Sequence, residues 1–342
     1  MKRKDIIMKH STKLAALLTA CAVTATALLS GCSSSSYGSS KSAPLKLAVY
    51  PLTSPYFEYP MDEQELFEKY GANVELVEFA QYTDVIQALD TGSVDGSIMG
   101  ITEAVAPIIN NLGLEVVCMT DYSAGMDGIV AAKGIESVAD LKGKTIATNI
   151  GTMNHMLLLS ALEKAGLSES DVTITNMSEG DATAAIIGGS IDAASIFDPQ
   201  MTKAAQESGG KIIFSSKDLP GELSDVMLFS KDSVENRSND VKGIIEAWYD
   251  IQKQYNEDPA PIVKTISSKT DLSEDEFYEL MAGLSIADLD YNKDMFANGG
   301  EKMAALITDV AEFWNNADCV ESVPSADKIK AAINSKFIEE LS

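Results

Sequence analysis

The chain has 342 residues, of which 51 are acidic and 26 are basic, so its formal net charge at pH 7 is −25. So strong a negative charge excludes a function based on binding nucleic acid or anionic lipid, because both polyanions need basic partners. A chain of this length is too long for one ordinary hydrophobic core and predicts two domains.

Residues 1–31 have the pattern of an export signal, with five basic residues before an apolar stretch from about Leu14 to Leu29. The stretch is too short and too rich in alanine for a good spanning helix. The quartet Leu29-Ser30-Gly31-Cys32 resembles a bacterial lipobox, which implies cleavage before Cys32 and a diacylglycerol on its thiol. The alternative is an ordinary signal peptide with an incidental cysteine. Removing residues 1–31 would leave a net charge of −29.

Residues 32–43 are rich in serine and predict a flexible tether between the anchor and the folded body. Beyond Cys32 the chain has Cys118 and Cys319, and their spacing leaves open whether they pair. The mature chain keeps a single histidine, His155. Without a CxxC motif or a His/Cys cluster, the sequence predicts neither a metal nor a cofactor.

From Leu45 onward, short β-rich runs alternate with amphipathic segments. The pattern predicts strands over 45–50, 74–79, 94–99, 115–120, 128–132, 144–149, 172–176, 191–197, 211–215 and 226–230. It predicts helices over 82–90, 103–110, 154–165 and 181–187, a mostly helical C-terminal third, and a surface loop over 291–300. Strands that alternate with helices indicate two α/β lobes, each a mostly parallel sheet flanked by helices.

Three segments carry a resemblance to a known class of proteins. They are ALDTGSVDG at 88–96, SVADLKGK followed by TIATNIGTMNHMLLLSALEKAG at 137–166, and IIGGSIDAASIFDP at 186–199. In this order they resemble the nitrate/sulfonate/taurine class of ABC-importer binding proteins, which is related to binders of thiamine-pyrimidine precursors. The resemblance covers roughly residues 45–235. This sequence has Phe197 where the class often has tryptophan.

The resemblance implies a two-lobed periplasmic binding protein of type II, or Venus flytrap, whose ligand lies in the cleft between the lobes. We place lobe 1 at 44–131 plus 230–342 and lobe 2 at 132–229, with hinges near 131–134 and 225–229. The implied partners are a small-molecule ligand and the transmembrane subunits of an ABC permease.

In open parallel sheets, ligands bind at the carboxyl ends of the strands. The candidate ligand-binding residues follow predicted strands, or belong to the segments that the resemblance picks out. They are Tyr56, Gln81, Tyr82, Gly100, Thr102, Asp121, Ser123, Asp127, Gly151, Thr152, Asn154, His155, Phe197 and Asp198.

The segment Gly151–His155 opens a helix directly after a strand, so its free N–H groups favour an anionic group of the ligand. The alternative is plain capping by Thr152, which needs no ligand. His155 is expected to be a wall residue and not a general base, because no nucleophile motif lies nearby.

Phe197 and Asp198 end a predicted strand, where an aromatic ring can stack on a ligand and a carboxylate can accept from an amine. The alternatives are a core position for Phe197 and an N-cap role for Asp198 before Pro199. Asp121 and Asp127 flank a Ser-Ala-Gly turn, where Asp127 either faces a ligand amine or is a solvated carboxylate.

The scarcity of arginine is the strongest evidence against a small anion or an α-carboxylate as the ligand. The mature chain has a single arginine, Arg237. Small anions and α-carboxylates are commonly held by a bidentate guanidinium, and that clamp is almost missing here. The ligand is therefore expected to be amine-containing or sulfonate-like, for example taurine-like or thiamine-pyrimidine-like.

The sequence predicts a monomeric, lipid-anchored binding protein on the periplasmic side or the cell surface, which is not an enzyme. One alternative is a surface receptor that reports the ligand to a signalling partner. Another is an enzyme that resembles thiamine-pyrimidine synthase, although that enzyme's histidine and cysteine-rich motif have no counterpart here. The identity of the ligand and the number of membranes in the envelope stay open.

Overall fold

The computed structural model describes residues 43–50, 55–110, 112–317 and 320–341, without the side chain of Tyr82. The predicted signal peptide, the lipidation residue Cys32, the tether up to residue 42 and Cys319 lie outside the described residues. Within that part of the chain, none of the helices has the length and apolar character needed to span a bilayer. Cys118 is a buried free thiol.

The described residues form eleven strands, and ten of them lie at or near the positions where the hydrophobic pattern predicts them. They are β1 (Leu45–Val49), β2 (Val74–Glu78), β3 (Gly96–Gly100), β4 (Leu114–Ser123), β5 (Asp127–Ala131), β6 (Thr145–Thr148), β7 (Thr173–Asn176), β8 (Ala193–Phe197), β9 (Lys211–Ser215), β10 (Ser224–Ser230) and β11 (Leu284–Ile286). The apolar run of β4 is typical of a strand that is buried on both faces. The pattern did not predict the short strand β11.

Six strands form the first sheet, in the order β11-β4-β10-β3-β1-β2. Strand β1 pairs in parallel with β2 and β3, whereas β10 runs antiparallel to β3 and β4. Strand β11 runs antiparallel to β4 at the edge of the sheet. We call this sheet with the helices that pack on it lobe 1.

Five strands form the second sheet, in the order β7-β6-β8-β5-β9. Strand β6 pairs in parallel with β7 and β8, and β5 runs antiparallel to both β8 and β9. We call this sheet with its helices lobe 2. Two sheets of mixed α/β structure confirm the predicted fold class.

The chain passes between the two sheets twice, at 124–126 and at 216–223. These crossovers differ from the predicted hinges, because β5 pairs in lobe 2 and β10 pairs in lobe 1. The predicted boundaries at 131/132 and 229/230 are therefore displaced by one strand each. Each crossing strand starts at the cleft and so runs opposite to most strands of its sheet. Its hydrophobic pattern does not tell which sheet it joins.

Fourteen helices are formed by the described residues. They are α1 (Glu58–Glu63), α2 (Leu66–Lys69), α3 (Tyr82–Asp90), α4 (Ile101–Ile109), α5 (Met153–Lys164), α6 (Glu179–Ile187), α7 (Gln200–Ser208), α8 (Lys231–Asn236), α9 (Ser238–Glu257), α10 (Pro259–Lys269), α11 (Glu274–Ala282), α12 (Leu289–Asn316), α13 (Ala326–Ala331) and α14 (Lys336–Glu339). Several begin at a serine or aspartate whose side chain accepts a backbone N–H of the first turn, as Ser273 does for α11.

The surface loop that we predict over 291–300 is wrong, because most of that segment belongs to α12. Asp288 caps the helix by accepting the N–H of Tyr291, and the buried side chain of Asn292 holds the helix against β4. Residues 297–300 leave the helical conformation and kink α12. The Ala-Asn-Gly-Gly sequence of this kink, read in isolation, is typical of a loop.

Separate hydrophobic cores lie under the two sheets. The core of lobe 1 includes the buried faces of the C-terminal helices, with Trp248 of α9 and Trp314 of α12 both at 2% exposure or less. In lobe 2 one cluster lies under α5 and another under α6 and α7, so helices cover both faces of the sheet. The crossovers thus link two lobes, each of which has its own hydrophobic core.

Close packing of α9 against lobe 1 gives a test of this arrangement. A Cβ at Gly243 would lie 2.7 Å from the Tyr70 carbonyl oxygen, whereas a Cβ at Gly180 in α6 would meet nothing within 4 Å. We expect Gly243→Ala to lower the free energy of unfolding by about 1–3 kcal/mol through overpacking. Gly180→Ala should raise it by roughly 0.5–1 kcal/mol through helix propensity. Urea unfolding measures the free energy of unfolding of both variants. If Gly243→Ala were stabilised as much as Gly180→Ala, the close packing of α9 would be contradicted.

Candidate functional site

A cavity of about 80 Å³ lies between the two lobes, at the cleft ends of the strands. Its walls are formed by Tyr50, Gly100, Glu103, Met126, Asp127, Asn149, Thr152, Met153, Asn154, Glu179, Phe197 and Asp225. Five of the predicted site residues lie in these walls, namely Gly100, Asp127, Thr152, Asn154 and Phe197. Both lobes contribute, so a ligand here would touch residues from either side.

Carboxylates dominate the polar lining of this cavity. Lobe 1 contributes Glu103 and Asp225, and lobe 2 contributes Asp127 and Glu179. None of the lining residues is a lysine or an arginine. The ion pairs formed within the described part of the chain include none of these four carboxylates. The cavity therefore concentrates acidic side chains without a basic side chain to balance them.

Asp127 lies at the first position of β5, paired with Phe197 at the end of β8. Its side chain is 2% exposed, and its Oδ1 accepts a hydrogen bond of 3.0 Å from Asn154 Nδ2. The other oxygen, Oδ2, is buried and has no hydrogen-bond partner among the described residues. Burial raises the pKa of Asp127 to about 6, against the opposing effect of its hydrogen bonds. One oxygen of this carboxylate is thus buried without a hydrogen-bond donor among the described residues.

Asp225 lies opposite Asp121 in the pairing of β10 with β4. Both side chains are buried, at 4% and 1% exposure, and Asp121 Oδ2 has no partner among the described residues. Like charges directly opposite in a sheet destabilise it. Burial raises the pKa of Asp225 above its usual range, and the charge of Asp121 raises it further. A proton or a cation relieves this repulsion.

Two glutamates extend the acidic region on either side. Glu58, the first residue of α1, is 1% exposed, and burial raises its pKa to about 7. Burial raises the pKa of Glu179, at the start of α6, to about 8, and the charge of Asp127 adds to this shift. One side-chain oxygen of each glutamate is buried without a partner in the described structure. Buried carboxylates of this kind are costly unless they are protonated or paired with a cation.

The described residues contain no group of three or more His, Cys, Asp or Glu side chains arranged to hold a metal ion. Phe197 and Tyr50 lie among the carboxylates in the walls of the cavity. Such a mixture of acids and aromatic rings suits an organic cation, because ammonium groups pair with carboxylates and lie over ring faces.

The start of α5 is the predicted anion site, and the structure places a carboxylate of the protein there. The Glu103 carboxyl group of lobe 1 accepts a hydrogen bond from the Thr102 hydroxyl and lies near the backbone N–H of Met153, the first residue of α5. Burial raises the pKa of Glu103, and these donors oppose that rise. Thr152 does not cap this helix with its side chain, which donates to the Asn149 carbonyl at 2.8 Å. Capping by Thr152 alone is therefore wrong for this helix.

His155 lies outside the cavity walls and packs between the lobes. Its ring stacks on Trp314 of α12 at a centroid distance of 5.5 Å, and its Nδ1 accepts the Gly151 N–H at 3.3 Å. Burial lowers the pKa of His155, so the neutral ring is favoured. Gly151 takes a φ of +88° and faces a neighbouring groove with Trp314 rather than the acidic cavity.

Several other predicted residues support the site from behind its walls. Ser123 is buried and donates to Ser216 Oγ at 2.7 Å, which ties the end of β4 to the second crossover. Asp198 Oδ1 accepts the Thr202 N–H of the first turn of α7 at 2.8 Å, but the N-cap residue of this helix is Pro199 and not, as its alternative predicts, Asp198. Thr102 is buried and holds the Glu103 carboxylate.

The remaining predicted residues lie farther along lobe 1. Tyr56 is buried and lines a second cavity with Tyr59, beside the acidic one. Gln81 is the N-cap of α3 and is exposed, and Tyr82 begins that helix. None of these three residues is among those that line the acidic cavity.

Seven lining residues were missed from the sequence, namely Tyr50, Glu103, Met126, Asn149, Met153, Glu179 and Asp225. Asp225 was missed because it lies at the start of β10, which is at the cleft. The sequence-based candidates were taken from the carboxyl ends of predicted strands. Glu103 and Glu179 stand in the first turns of helices that follow strands, where acidic residues are common for helix-dipole reasons alone. The sequence feature that could have identified these residues is the excess of acidic over basic residues at these positions.

This chain is similar in sequence to a curated periplasmic binding protein. The taurine-binding periplasmic protein of Escherichia coli K12 is 27% identical over 192 residues, which cover 55% of this chain and 59% of that one. This chain therefore spans somewhat more than half the length of that relative.

Solved structures share the fold at low sequence identity. The periplasmic aliphatic sulphonate binding protein of Escherichia coli superposes with a TM-score of 0.72 and 21% identity, over 83% of this chain and 91% of that one. A desulfurization enzyme superposes with a TM-score of 0.62 and 15% identity, over 87% and 98%. The fold is thus the periplasmic-binding-protein fold, which also occurs in an enzyme. The model of the NMT1-like family matches residues 38–267, and the chain belongs to this family.

Proposed function

We propose that the protein is a lipid-anchored, extracytoplasmic solute-binding protein that captures a small amine-containing solute and delivers it to an ABC importer. It acts as a monomer, with acyl chains on Cys32 and the tether at 32–43 holding it at the membrane surface. The membership of the NMT1-like family and the likeness to periplasmic binding proteins support the transport role. The choice of an amine depends on the cavity.

The observation that carries the proposal is the buried, unpartnered Oδ2 of Asp127 in a cavity whose charged walls are all acidic. An ammonium group of the ligand would bind favourably at this position. It would turn an unpaired buried carboxylate into an ion pair. Asp225 and Glu179 would share the positive charge from the two lobes. Phe197 would contact the apolar part of the ligand.

A simple anion has little to hold it in this cleft. Arg237, the single arginine outside the signal segment, is the N-cap residue of α9 and pairs with Asp240 of its first turn at 2.7 Å. Its guanidinium is therefore engaged in lobe 1 and is not among the cavity walls. Nitrate or an alkylsulfonate without an amine would meet hydroxyl and amide groups among the carboxylates, but no basic side chain to neutralise its charge.

Delivery needs a conformational change that reports the bound state. A ligand that touches both lobes stabilises the closed arrangement over the open one, and the closed form docks on the permease. The two crossovers at 124–126 and 216–223 are the segments about which the lobes would rotate. No bond of the ligand is made or broken in this cycle.

An enzymatic role is the less favoured alternative. His155 is the sole histidine of the mature chain, and it faces Trp314 instead of the cavity. Its position therefore does not suit a general base acting on a bound ligand. A signalling receptor would use the same cleft and differs only in the protein that recognises the closed form.

A thermal-shift screen followed by calorimetric titration of the mature protein tests the proposal. Ethane-1,2-diamine, choline and a 5-aminomethylpyrimidine represent amines, with nitrate and ethanesulfonate as anions without an amine. We expect at least one amine to stabilise the protein by about 2–3 kcal/mol at a hundredfold excess over its Kd. Tight binding of nitrate or ethanesulfonate, with no response to any amine, would overturn the proposal.

A further inference from the structure

Glu103 stands at the point where the two lobes and the acidic cavity meet. It belongs to the first turn of α4 in lobe 1, and its carboxyl group lies near Met153, the first residue of α5 in lobe 2, with which it lines the cavity. A Cβ at Gly100 would overlap this carboxylate, so the glycine leaves the space that the Glu103 side chain needs. The Thr102 hydroxyl donates to the same carboxylate and fixes its direction.

The first N–H groups of a helix have no carbonyl partner within the helix and attract anions, aided by the helix dipole. Helix α5 has twelve residues, with no acidic residue in its own first turn and no side-chain cap. Its amino end would therefore be open to an acid group of the ligand if Glu103 were absent. Asp127, with its unpartnered and buried Oδ2, lines the same cavity and supplies a place for an ammonium.

We propose that Glu103 acts as a built-in acid group at the start of α5, so that the cleft selects organic cations without an acid group and rejects zwitterions. This inference rests on the proposed capture of amines and narrows their class. A zwitterion such as taurine would place its ammonium at Asp127 and its sulfonate at α5, where the Glu103 carboxylate repels it. A cation of similar length would instead meet a carboxylate at each end.

Removal of the Glu103 side chain tests this specificity role. We expect the mature protein to bind ethane-1,2-diamine at least about tenfold more tightly than taurine, which has the same two-carbon spacing. In Glu103→Ala the preference should reverse, with a gain of about tenfold or more for taurine and a loss for the diamine. Glu103→Gln should lose diamine affinity without gaining taurine, because its amide still occupies the start of α5. Each tenfold change corresponds to about 1.4 kcal/mol.

Two controls separate this role from folding and from general charge effects. Glu163→Ala removes an exposed carboxylate from the far end of α5, and both affinities should stay within about twofold of the parent. Thermal melts establish that each variant is folded before titration.

The outcomes also separate this inference from the proposed function. If neither amine nor taurine binds the parent protein, but Glu103→Ala gains taurine, the amine function fails and the specificity role of Glu103 stands. If the parent binds amines and folded Glu103→Ala gains no affinity for taurine, the specificity role is overturned and the amine function stands. Tight binding of taurine by the parent protein overturns the specificity role in every case.

Discussion

Replacing Asp127 by asparagine should weaken the binding of a cationic amine about 100-fold, which is on the order of 3 kcal/mol. Asparagine has the shape of aspartate, and its carbonyl oxygen can keep the hydrogen bond that Asp127 accepts from Asn154 Nδ2. The substitution therefore removes the charge at the buried, unpartnered oxygen while leaving the wall of the cavity in place. Isothermal titration with the tightest amine of the screen measures the change in Kd.

The neighbouring acid Asp198 is the matched control for this experiment. Its Oδ1 accepts the Thr202 N–H of the first turn of α7, a role that asparagine also performs, and Asp198 is not among the cavity walls. Asp198→Asn should therefore change the affinity by less than about threefold. A larger loss in Asp198→Asn than in Asp127→Asn would move the ammonium site from β5 to the start of α7. It would thereby restore the ligand-binding role that the sequence predicts for Asp198.

Local patterns predicted most elements of the fold, because the apolar spacing of a strand or helix is a property of that segment alone. Strand β9 and helix α3 have the bounds that the sequence predicts. The lobe boundaries could not be predicted from local patterns. They depend on the pairing of β5 with β8 and of β10 with β4, strands that are far apart in the sequence. The kinked helix α12 was missed because its Gly-Gly pair dominates the local signal, whereas Asn292 and the apolar face hold the helix in place.

The sequence predicted part of the acidic cavity, and the reason is geometric. Parallel strands bring their carboxyl ends together, so Gly100 and Phe197 could be placed at the cleft in advance. Asp225 could not, because an antiparallel strand presents its first residues there. The pairing of Glu103 with α5 joins segments about fifty residues apart across two lobes. Only the fold shows that the predicted anion site already contains a carboxylate.

The acidic cavity should make the ligand-free protein less stable as the pH rises from 6.5 to 8.5. Burial raises the pKa of Glu58 to about 7 and that of Glu179 to about 8. A raised carboxyl pKa contributes stability that is fully present below the unfolded value of about 4.5 and is lost as the pH rises through the folded value. These two groups together should lower the free energy of unfolding by roughly 2–3 kcal/mol over this range. The melting temperature should fall by about 5 °C.

Two groups whose pKa values are lowered act outside this window or weakly within it. The lowered pKa of His155 costs stability only as the pH falls below about 6.5, so it opposes the trend at the acidic limit alone. Hydrogen bonds and Lys142 lower the pKa of Asp171 to about 2, and its contribution is lost only below about pH 4. The slope between pH 6.5 and 8.5 therefore reports the buried acids of the cleft.

Glu179→Gln should flatten this slope, because a neutral amide removes a carboxyl group whose pKa of about 8 lies inside the window. Its melting temperature at pH 8.5 should exceed that of the parent protein by about 3 °C, although the variant has lost a residue of the cavity wall. Asp171→Asn is the control, since it should shift every melting temperature by a similar amount and leave the slope unchanged. A parent protein whose melting temperature rises from pH 6.5 to 8.5 would show that the cleft carboxylates are not strained by burial. The case for a cationic ligand would then lose its energetic basis, because the strain of these unpaired acids is what an organic cation relieves.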